Sequence, residues 1–178
     1  SMFGYVRGKV VITGSARGEG FASYQLQVGR GLNPETWQQL AETNQPVDSA
    51  TLGSWETSEA GVYALRLLVL RSDQTVETAV IQVTVDNQPP VIGVLYPIPD
   101  EEIRPGSDGV IYLQAQAEDA IGIAQVSFRM DGQDIAQVTS EPYTLAWKAI
   151  GGKHELQLVA TDLAGNTRES DIVTFTVK

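Results

Sequence analysis

The side chain best suited to acid–base chemistry is His154, the only histidine among the 178 residues. A serine or threonine nucleophile needs a base within hydrogen-bonding reach, but no nucleophile motif accompanies His154. A zinc site is also unexpected, because zinc is held by several His or Cys ligands and the sequence has no cysteine. His154 takes the place that Tyr63 has in a second copy of the same pattern, which predicts a ring in the core and a polar tip outside. We therefore expect no catalytic residues and a chain that is not itself an enzyme.

Hard oxygen ligands for Ca²⁺ are a second possibility. Asp86 and Asn87 close one half of the chain, and Asp119 and Asp162 follow alternating segments in the other half. Carboxylates at a domain junction could bind Ca²⁺ and stiffen it, but the ion needs about six to eight oxygens. Asp and Asn also serve turns by bonding to their own backbone. The lack of an Asp-x-Asp-x-Asp run favours the turn interpretation, with calcium as the alternative and no other cofactor expected.

Aromatic rings could form a platform for a sugar ring. The candidates are Trp37, Trp55, Trp147 and Tyr24. Trp55 and Trp147 occupy equivalent sites in two copies of the pattern, which predicts a shared role in the core or at its edge. Trp37 has no counterpart, so it is the residue we predict to contact a carbohydrate or peptidoglycan ligand, if one binds.

Composition excludes several other functions. The net charge is −10 and no basic patch is visible, so we expect no nucleic-acid partner, since such binding neutralises phosphates with Lys and Arg. The longest apolar stretch, residues 62–70, is interrupted by Arg66 and is far shorter than the roughly 18 residues of a membrane span. We expect no membrane contact by this part of the protein, and a monomer. Ser1 and Met2 are interpreted as a cloning remnant, with the native protein extending beyond both ends.

Apolar residues alternate with polar ones, and the pattern occurs twice. Residues 20–26 correspond to residues 122–128, and Trp55 and Trp147 each precede a strand-like run. A period of two means that one face of a strand is buried and the other is wet. Short strands separated by turn signals are typical of a β-sandwich. We predict one sandwich over residues 3–88 and a second over residues 89–178, joined by a short, stiff linker at Pro89-Pro90.

Two local predictions follow from the same pattern. In the run from Val76 to Val85 the inward, buried set is expected to be Ala79, Ile81, Val83 and Val85. Residues 33–40 fit a short helix with Asn33 as its cap and Pro34 in its first turn, or alternatively a strand.

The second half resembles bacterial immunoglobulin-like domains. The residues that carry the resemblance are Ala-Glu-Asp at 117–119, Gly-Ile-Ala-Gln-Val at 122–126, Met-Asp-Gly at 130–132, Glu-Pro-Tyr at 141–143 with Trp147, Gly-Lys-His-Glu-Leu at 152–156 and Ala-Thr-Asp-Leu-Ala-Gly-Asn at 160–166. The resemblance implies an all-β chain of two tandem immunoglobulin-like (Ig/fibronectin-III-like) β-sandwiches. Such modules occur in many exported proteins, so it is specific for the fold and weak for function.

The first half resembles the domain that follows the transpeptidase in some bifunctional penicillin-binding proteins. That similarity rests on Val-Arg-Gly-Lys-Val at 6–10, Gly-Arg-Gly-Leu-Asn-Pro at 29–34 with Trp37, and Val-Thr-Val-Asp-Asn-Gln-Pro-Pro at 83–90. The transpeptidase motifs Ser-x-x-Lys, Ser-x-Asn and Lys-Thr-Gly are absent. The resemblance implies a non-catalytic, extracytoplasmic spacer or interaction module at the bacterial cell surface, with a cell-wall polymer or envelope protein as partner. The alternatives are a carbohydrate- or peptidoglycan-binding module and a calcium-stiffened adhesion tandem.

Overall fold

The computed structural model describes residues 3–178; Ser1 and Met2, with the cloning-remnant interpretation attached to them, lie outside the described residues. The chain divides into two compact units, the first ending at Asn87 and the second running from Gln88 to Lys178. The strands of the first unit are β1 (Phe3–Val6), β2 (Lys9–Ala16), β3 (Phe21–Arg30), β4 (Gln38–Thr43), β5 (Val47–Glu56), β6 (Gly61–Arg71) and β7 (Val76–Val85). Those of the second are β8 (Val91–Tyr96), β9 (Glu101–Ile103), β10 (Val110–Glu118), β11 (Ile123–Met130), β12 (Gln133–Val138), β13 (Thr144–Lys148), β14 (Gly152–Asp162), β15 (Thr167–Glu169) and β16 (Val173–Val177).

The first unit pairs a five-stranded sheet, in the order β1-β7-β6-β3-β4, with a two-stranded sheet of β2 and β5. Alternation along the strands sends every second side chain inward. Tyr24, Leu26 and Val28 of β3 are all buried in this way. They meet Leu52 and Trp55 of β5 in two adjoining apolar clusters.

The second unit has the same plan with one strand more in the smaller sheet. Its larger sheet runs β12-β11-β14-β16-β9, with β15 beside β14, and its smaller sheet runs β13-β10-β8. Val126 and Phe128 of β11 and Leu156 and Leu158 of β14 are completely buried in a single apolar cluster. The prediction that the chain is all-β is confirmed.

Topology makes the strands of the two units equivalent. β1 and β9 pair parallel to the last strand of their unit, β7 and β16. In the first unit β3 lies beside β6 in the middle of the larger sheet, and in the second unit β11 lies beside β14 in the same way. β2 matches β10, β5 matches β13 and β4 matches β12. β15 matches the first three residues of β7, which pair with β6 as β15 pairs with β14. Among the described residues, β8 has no counterpart in the first unit.

Two local predictions need correction. Residues 33–37 form bends rather than a helix, and β4 begins at Gln38; the strand alternative is right for residues 38–40. The segment does not form a helix because it packs onto β3, where Pro34 lies against Gly29. In β7, Val83 and Val85 are buried as predicted, but Ala79 is exposed and Ile81 is 39% exposed.

In the part of the chain that the structure describes, Ala79 and Ile81 point to the core side but stay exposed. Ala79 pairs with Leu67 and Ile81 with Leu65, whose side chains belong to the core face. Alternation predicts the direction of these side chains correctly, but their burial also requires a strand on the opposite side.

Within residues 3–178, no helix is long and apolar enough to span a membrane.

Candidate binding sites

Trp37 lies immediately before β4 on the solvent face of the larger sheet of the first unit. Its side chain is half-buried, and the guanidinium carbon of Arg66 sits 3.9 Å from its ring centre. A guanidinium over an indole face is attracted by the negative charge density of the ring. One face of Trp37 is therefore occupied by Arg66, and a ligand would have to use the other face or the ring edge.

A chain of hydrogen bonds extends from Arg66 across the same sheet face; we call it the amide row. Arg66 donates to the side-chain oxygen of Gln27 (Nε–Oε1 3.0 Å), and Gln27 donates to Gln25 (3.2 Å). Gln25 and Gln39 then donate to the two carboxylate oxygens of Glu42 at 3.2 and 3.1 Å. The row fixes the orientation of three amides and one carboxylate beside Trp37. Sequence reasoning missed it, although Gln25 and Gln27 at a spacing of two mark one strand face.

The segment before Trp37 is held in place by a close approach to Gly29 of β3. A Cβ on Gly29 would lie 2.3 Å from Pro34 Cβ and 2.8 Å from the carbonyl oxygen of Thr36. Only glycine leaves room for this contact. Residues 31–37 thus fold back onto β3, which sets the position of Trp37 at the start of β4.

The remaining aromatic candidates are structural. Tyr24 is 4% exposed, and its hydroxyl donates to the carbonyl oxygen of Leu52 at 2.8 Å. Trp55 is 8% exposed and meets Tyr63 edge-on, with ring centres 4.9 Å apart. Trp147 meets His154 edge-on at 5.1 Å in the second unit. The predicted shared role of Trp55 and Trp147 is thus a matched aromatic pair in each core.

His154 takes the place of Tyr63, as predicted, and uses its polar atoms internally. It is 7% exposed, with Nε2 2.8 Å from the carbonyl oxygen of Ile150 and Nδ1 2.8 Å from Asp131 Oδ2. The Tyr63 hydroxyl likewise donates to a carbonyl four residues earlier, that of Glu59. Both ring nitrogens of His154 therefore have oxygen partners within the second unit, and this arrangement favours a structural role.

Asp131 is a residue whose role the sequence did not reveal. It occupies a left-handed conformation (φ 51°) in the two-residue turn between β11 and β12, followed by Gly132 (φ 80°). Its Oδ1 accepts the backbone N–H of Glu155 at 2.9 Å. Partial burial pushes the pKa of Asp131 upward, but the hydrogen bonds from His154 and Glu155 outweigh it and hold that pKa below its usual value. An Asp-Gly pair is typical of tight turns between strands, but the pair alone does not predict that Asp131 bonds to β14.

Two of the predicted calcium ligands come together at one end of the second unit. Asp119 and Asp162 have carboxylate oxygens within 4.8 Å of each other. Asp162 is 1% exposed and accepts the backbone and side-chain N–H groups of Asn166 at 2.8 and 2.7 Å. Asp119 accepts the N–H of Ile121 at 2.9 Å. Both carboxylates thus serve their own turns, as the turn interpretation predicts, while standing close enough to share a cation.

The first unit has the opposite charge at the equivalent place. Phe21 pairs with Arg71 in the register in which Ile123 pairs with Asp162, so Arg71 and Asp162 correspond. Arg71 donates to the carbonyl oxygen of Glu19 (2.6 Å) and to the carboxylate of Glu77 (2.8 Å). The acidic pair is therefore particular to the second unit.

The other two predicted calcium ligands, Asp86 and Asn87, lie at the end of the first unit. The Asp86 N–H donates to the carbonyl oxygen of Val6 at 3.0 Å. Asn87 Oδ1 accepts from the Gly8 N–H at 2.9 Å and from the Thr57 hydroxyl at 3.3 Å. The Asn87 side chain thus stabilises the turn between β1 and β2. Calcium binding by Asp86 and Asn87 stays a prediction.

Sequence comparison relates the second unit to a known family. Residues 90–168 match the family model described as a bacterial Ig domain. This span agrees with the resemblance drawn from the motifs of the second half. No curated protein is significantly similar in sequence to the chain.

Solved structures extend the similarity over the whole chain. The fibronectin(III)-like modules of Clostridium thermocellum CbhA superpose with a TM-score of 0.63 at 20% identity, covering 100% of this chain and 90% of that one. The chicken CNTN1 FN1-FN3 domains give 0.55 at 13% identity, covering 100% and 65%. Murine CEACAM1b gives 0.51 at 12% identity, covering 99% and 96%. At these identities the likeness establishes the fold alone, and the prediction of immunoglobulin- or fibronectin-III-like β-sandwiches is confirmed.

Proposed function

We propose that the chain is a non-catalytic, extracytoplasmic spacer and interaction module of a bacterial cell-envelope protein. The observation that carries the proposal is the repetition of one sandwich plan, with a separate apolar core in each unit. The match of residues 90–168 to a bacterial Ig domain supports a bacterial surface setting. The polar atoms of His154, the residue best suited to acid–base chemistry, are bound to Ile150 and Asp131, which favours a structural role for it.

The finer proposal is that the parent protein is a bifunctional penicillin-binding protein. It rests on the similarity of residues 6–10, 29–34 and 83–90 to the domain that follows the transpeptidase in that class. The sandwiches would set a distance between the membrane-anchored enzyme and the cell wall, and their loops and strand edges would offer contact surfaces. The parent reading frame should then contain a Ser-x-x-Lys motif before Phe3.

Replacement in the parent protein separates spacing from specific contact. One variant lacks residues 3–178, and in a second these residues are replaced by the CbhA modules, which share the fold at 20% identity. If the role is spacing, the replacement restores cell-wall synthesis in cells that the deletion impairs. Impairment by both variants would instead assign the role to a specific contact surface, and a deletion without effect would contradict the proposal.

A second candidate function is calcium binding at the Asp119–Asp162 end of the second unit. The proximity of the two carboxylates favours it, since Ca²⁺ selects oxygen ligands. Binding would raise the melting temperature in millimolar Ca²⁺ and chelator would reverse the rise. Asp119→Asn should abolish the response, while Asp171→Asn, an exposed residue of the same unit, should preserve it. An unchanged melting temperature in the original chain would remove this candidate.

A third candidate function is carbohydrate binding beside Trp37. The amide row favours it, because oriented amides and a carboxylate next to an indole ring match the hydroxyl groups and apolar face of a sugar. Purified peptidoglycan should then retain the chain in a pull-down, and Trp37→Ala should abolish retention. Leu32→Ala, in the same loop and 55% exposed, is the matched control. Failure of peptidoglycan to retain the original chain would oppose this candidate.

A further inference from the structure

The two units carry the same arginine–glutamine pair on the solvent face of the larger sheet, with the two residue types exchanged between the strands. Gln27 of β3 lies opposite Arg66 of β6 in the first unit. Arg129 of β11 lies opposite Gln157 of β14 in the second unit. In both units the arginine donates to the side-chain oxygen of the glutamine. The surroundings of the two guanidinium groups can therefore be compared position by position.

Carboxylates neutralise the arginine of the second unit. Asp134 accepts from Arg129 Nε at 3.0 Å, and Glu169 accepts from Nη1 at 3.1 Å. The strand register places Gln39 of the first unit where Asp134 lies in the second. It places Thr78 where Glu169 lies. Both counterparts are uncharged, so the first unit lacks the two acids that balance this arginine in the second.

The guanidinium group of Arg66 therefore keeps an uncompensated charge beside an aromatic ring. Within residues 3–178 Arg66 forms no ion pair; its Nε and Nη2 both donate to the side-chain oxygen of Gln27, and Nη1 has no acceptor. The same group lies over the ring of Trp37. A guanidinium presents five N–H donors in a planar fork that suits a carboxylate. A carboxylate that binds at Nη1 consequently lies next to Trp37.

We propose that the ligand of the Trp37 site is an acidic saccharide, whose carboxylate pairs with Arg66 while a sugar ring contacts the indole. This inference rests on the third candidate function and adds a substrate class to it. The amide row is positive at the Arg66 end and negative at the other end, where Gln25 and Gln39 donate to Glu42. The row thus favours a saccharide with its carboxylate at the Arg66 end and an uncharged ring towards Glu42.

The test uses two disaccharides that carry one carboxylate each. Cellobiouronic acid has a ring carboxylate, and N-acetylglucosaminyl-N-acetylmuramic acid has a lactyl carboxylate. In NMR titrations of the original chain, at least one acid should bind about tenfold more tightly than its methyl ester, which lacks the charge-assisted bond. The acid that binds identifies the source of the carboxylate. Equal binding of acid and ester would overturn this inference alone, whereas binding of neither form would also oppose the third candidate function.

Matched substitutions assign the preference for the acid to Arg66. Arg66→Gln should abolish the preference, and Arg66→Lys should keep part of it because the charge remains. Arg7→Gln, at an exposed position of the same unit, removes the same charge and should keep the full preference. A preference that survives in Arg66→Gln would contradict the assignment.

A carboxylate restored in the first unit gives an independent readout. Thr78 is exposed and lies diagonally across from Arg66 on β7, within reach of a long side chain. Thr78→Glu supplies the charge that Glu169 provides in the second unit, so the preference for the acid should fall about threefold. Thr78→Gln has the same length without the charge and should leave the preference unchanged. Equal preferences in the two variants would show that the missing carboxylates do not determine this site.

Discussion

The two units share a strand plan but differ in one connection, which joins β3 to β4 in the first unit and β11 to β12 in the second. In the second unit, Asp131 and Gly132 join β11 to β12 in a tight turn, and Asp131 is bonded to β14. In the first unit, residues 31–37 form a longer connection that folds back onto Gly29 and ends in Trp37. The comparison indicates that the sandwich core is the constant part of this protein and that one connection carries the distinctive surface chemistry.

The largest expected effect tests whether the two cores are equivalent. Leu26 and Phe128 hold corresponding positions and are 2% and 0% exposed. Truncation to alanine leaves a cavity, so Phe128→Ala should destabilise the second unit by about 4 kcal/mol and Leu26→Ala the first by about 3 kcal/mol. Hydrogen exchange measured residue by residue would assign each loss to its unit. A loss below about 1 kcal/mol for either variant would show that its core is not closely packed.

The next effect addresses the connection itself. Gly29→Ala forces a methyl group against Pro34 and Thr36, which should cost about 2 kcal/mol and displace residues 31–37. Gly4→Ala is the control, since nothing lies within 4 Å of its new methyl group. Denaturant unfolding measures the cost, and a change in Trp37 fluorescence reports the displacement. Equal stability of the two variants would show that the loop does not depend on the close approach to Gly29.

In the second unit the corresponding test is Asp131→Asn, which keeps a residue tolerant of the left-handed turn. Loss of the charge-assisted bond to His154 should cost about 1 kcal/mol, limited by the half-exposed position of Asp131. Because the folded-state pKa of Asp131 lies below its usual value of 3.8, the contribution is complete above that pH. It is lost as pH falls through the lowered pKa.

Chemical denaturation between pH 6 and about pH 2 would follow this loss, since the range brackets the usual pKa of an aspartate. The difference in stability between the original chain and Asp131→Asn should shrink at the acidic end. A difference that stays constant across the range would contradict the assignment.

The smallest effect concerns the aromatic partner in the first unit. Tyr63→Phe keeps the edge-on contact with Trp55 and removes only the exposed hydrogen bond to Glu59. We expect a loss of about 0.5 kcal/mol in thermal unfolding. A loss above about 2 kcal/mol would mean that the hydroxyl, rather than the ring, stabilises this position.

Alternation in the sequence was sufficient to predict an all-β chain and half of the inward set in β7. It predicted the burial of Val83 and Val85 from their spacing alone. It failed at Ala79 and Ile81, because spacing determines the direction of a side chain, whereas its burial depends on a strand from elsewhere in the chain. The helix alternative for residues 33–40 failed because Pro34 packs against Gly29, a contact that no local pattern encodes.

The candidate sites were only partly predictable for the same reason. Turn chemistry predicted that Asp119 and Asp162 bond to their own loops, as they do. Their mutual proximity depends on β10 and β14, strands of two different sheets, ending at the same end of the sandwich. The amide row depends on the register of β3 with β4 and β6, which sequence spacing does not specify.

The parallel pairing of β1 with β7 and of β9 with β16 has a mechanical consequence. β1 lies along β7 through four residue pairs, from Phe3 with Gln82 to Val6 with Val85, and β9 lies along β16 through three. Tension applied to the two ends of such a unit pulls these strands past each other, so the hydrogen bonds of each pair are loaded together in shear and do not open one by one. Each sandwich thus has one parallel strand pair whose hydrogen bonds resist stretching together.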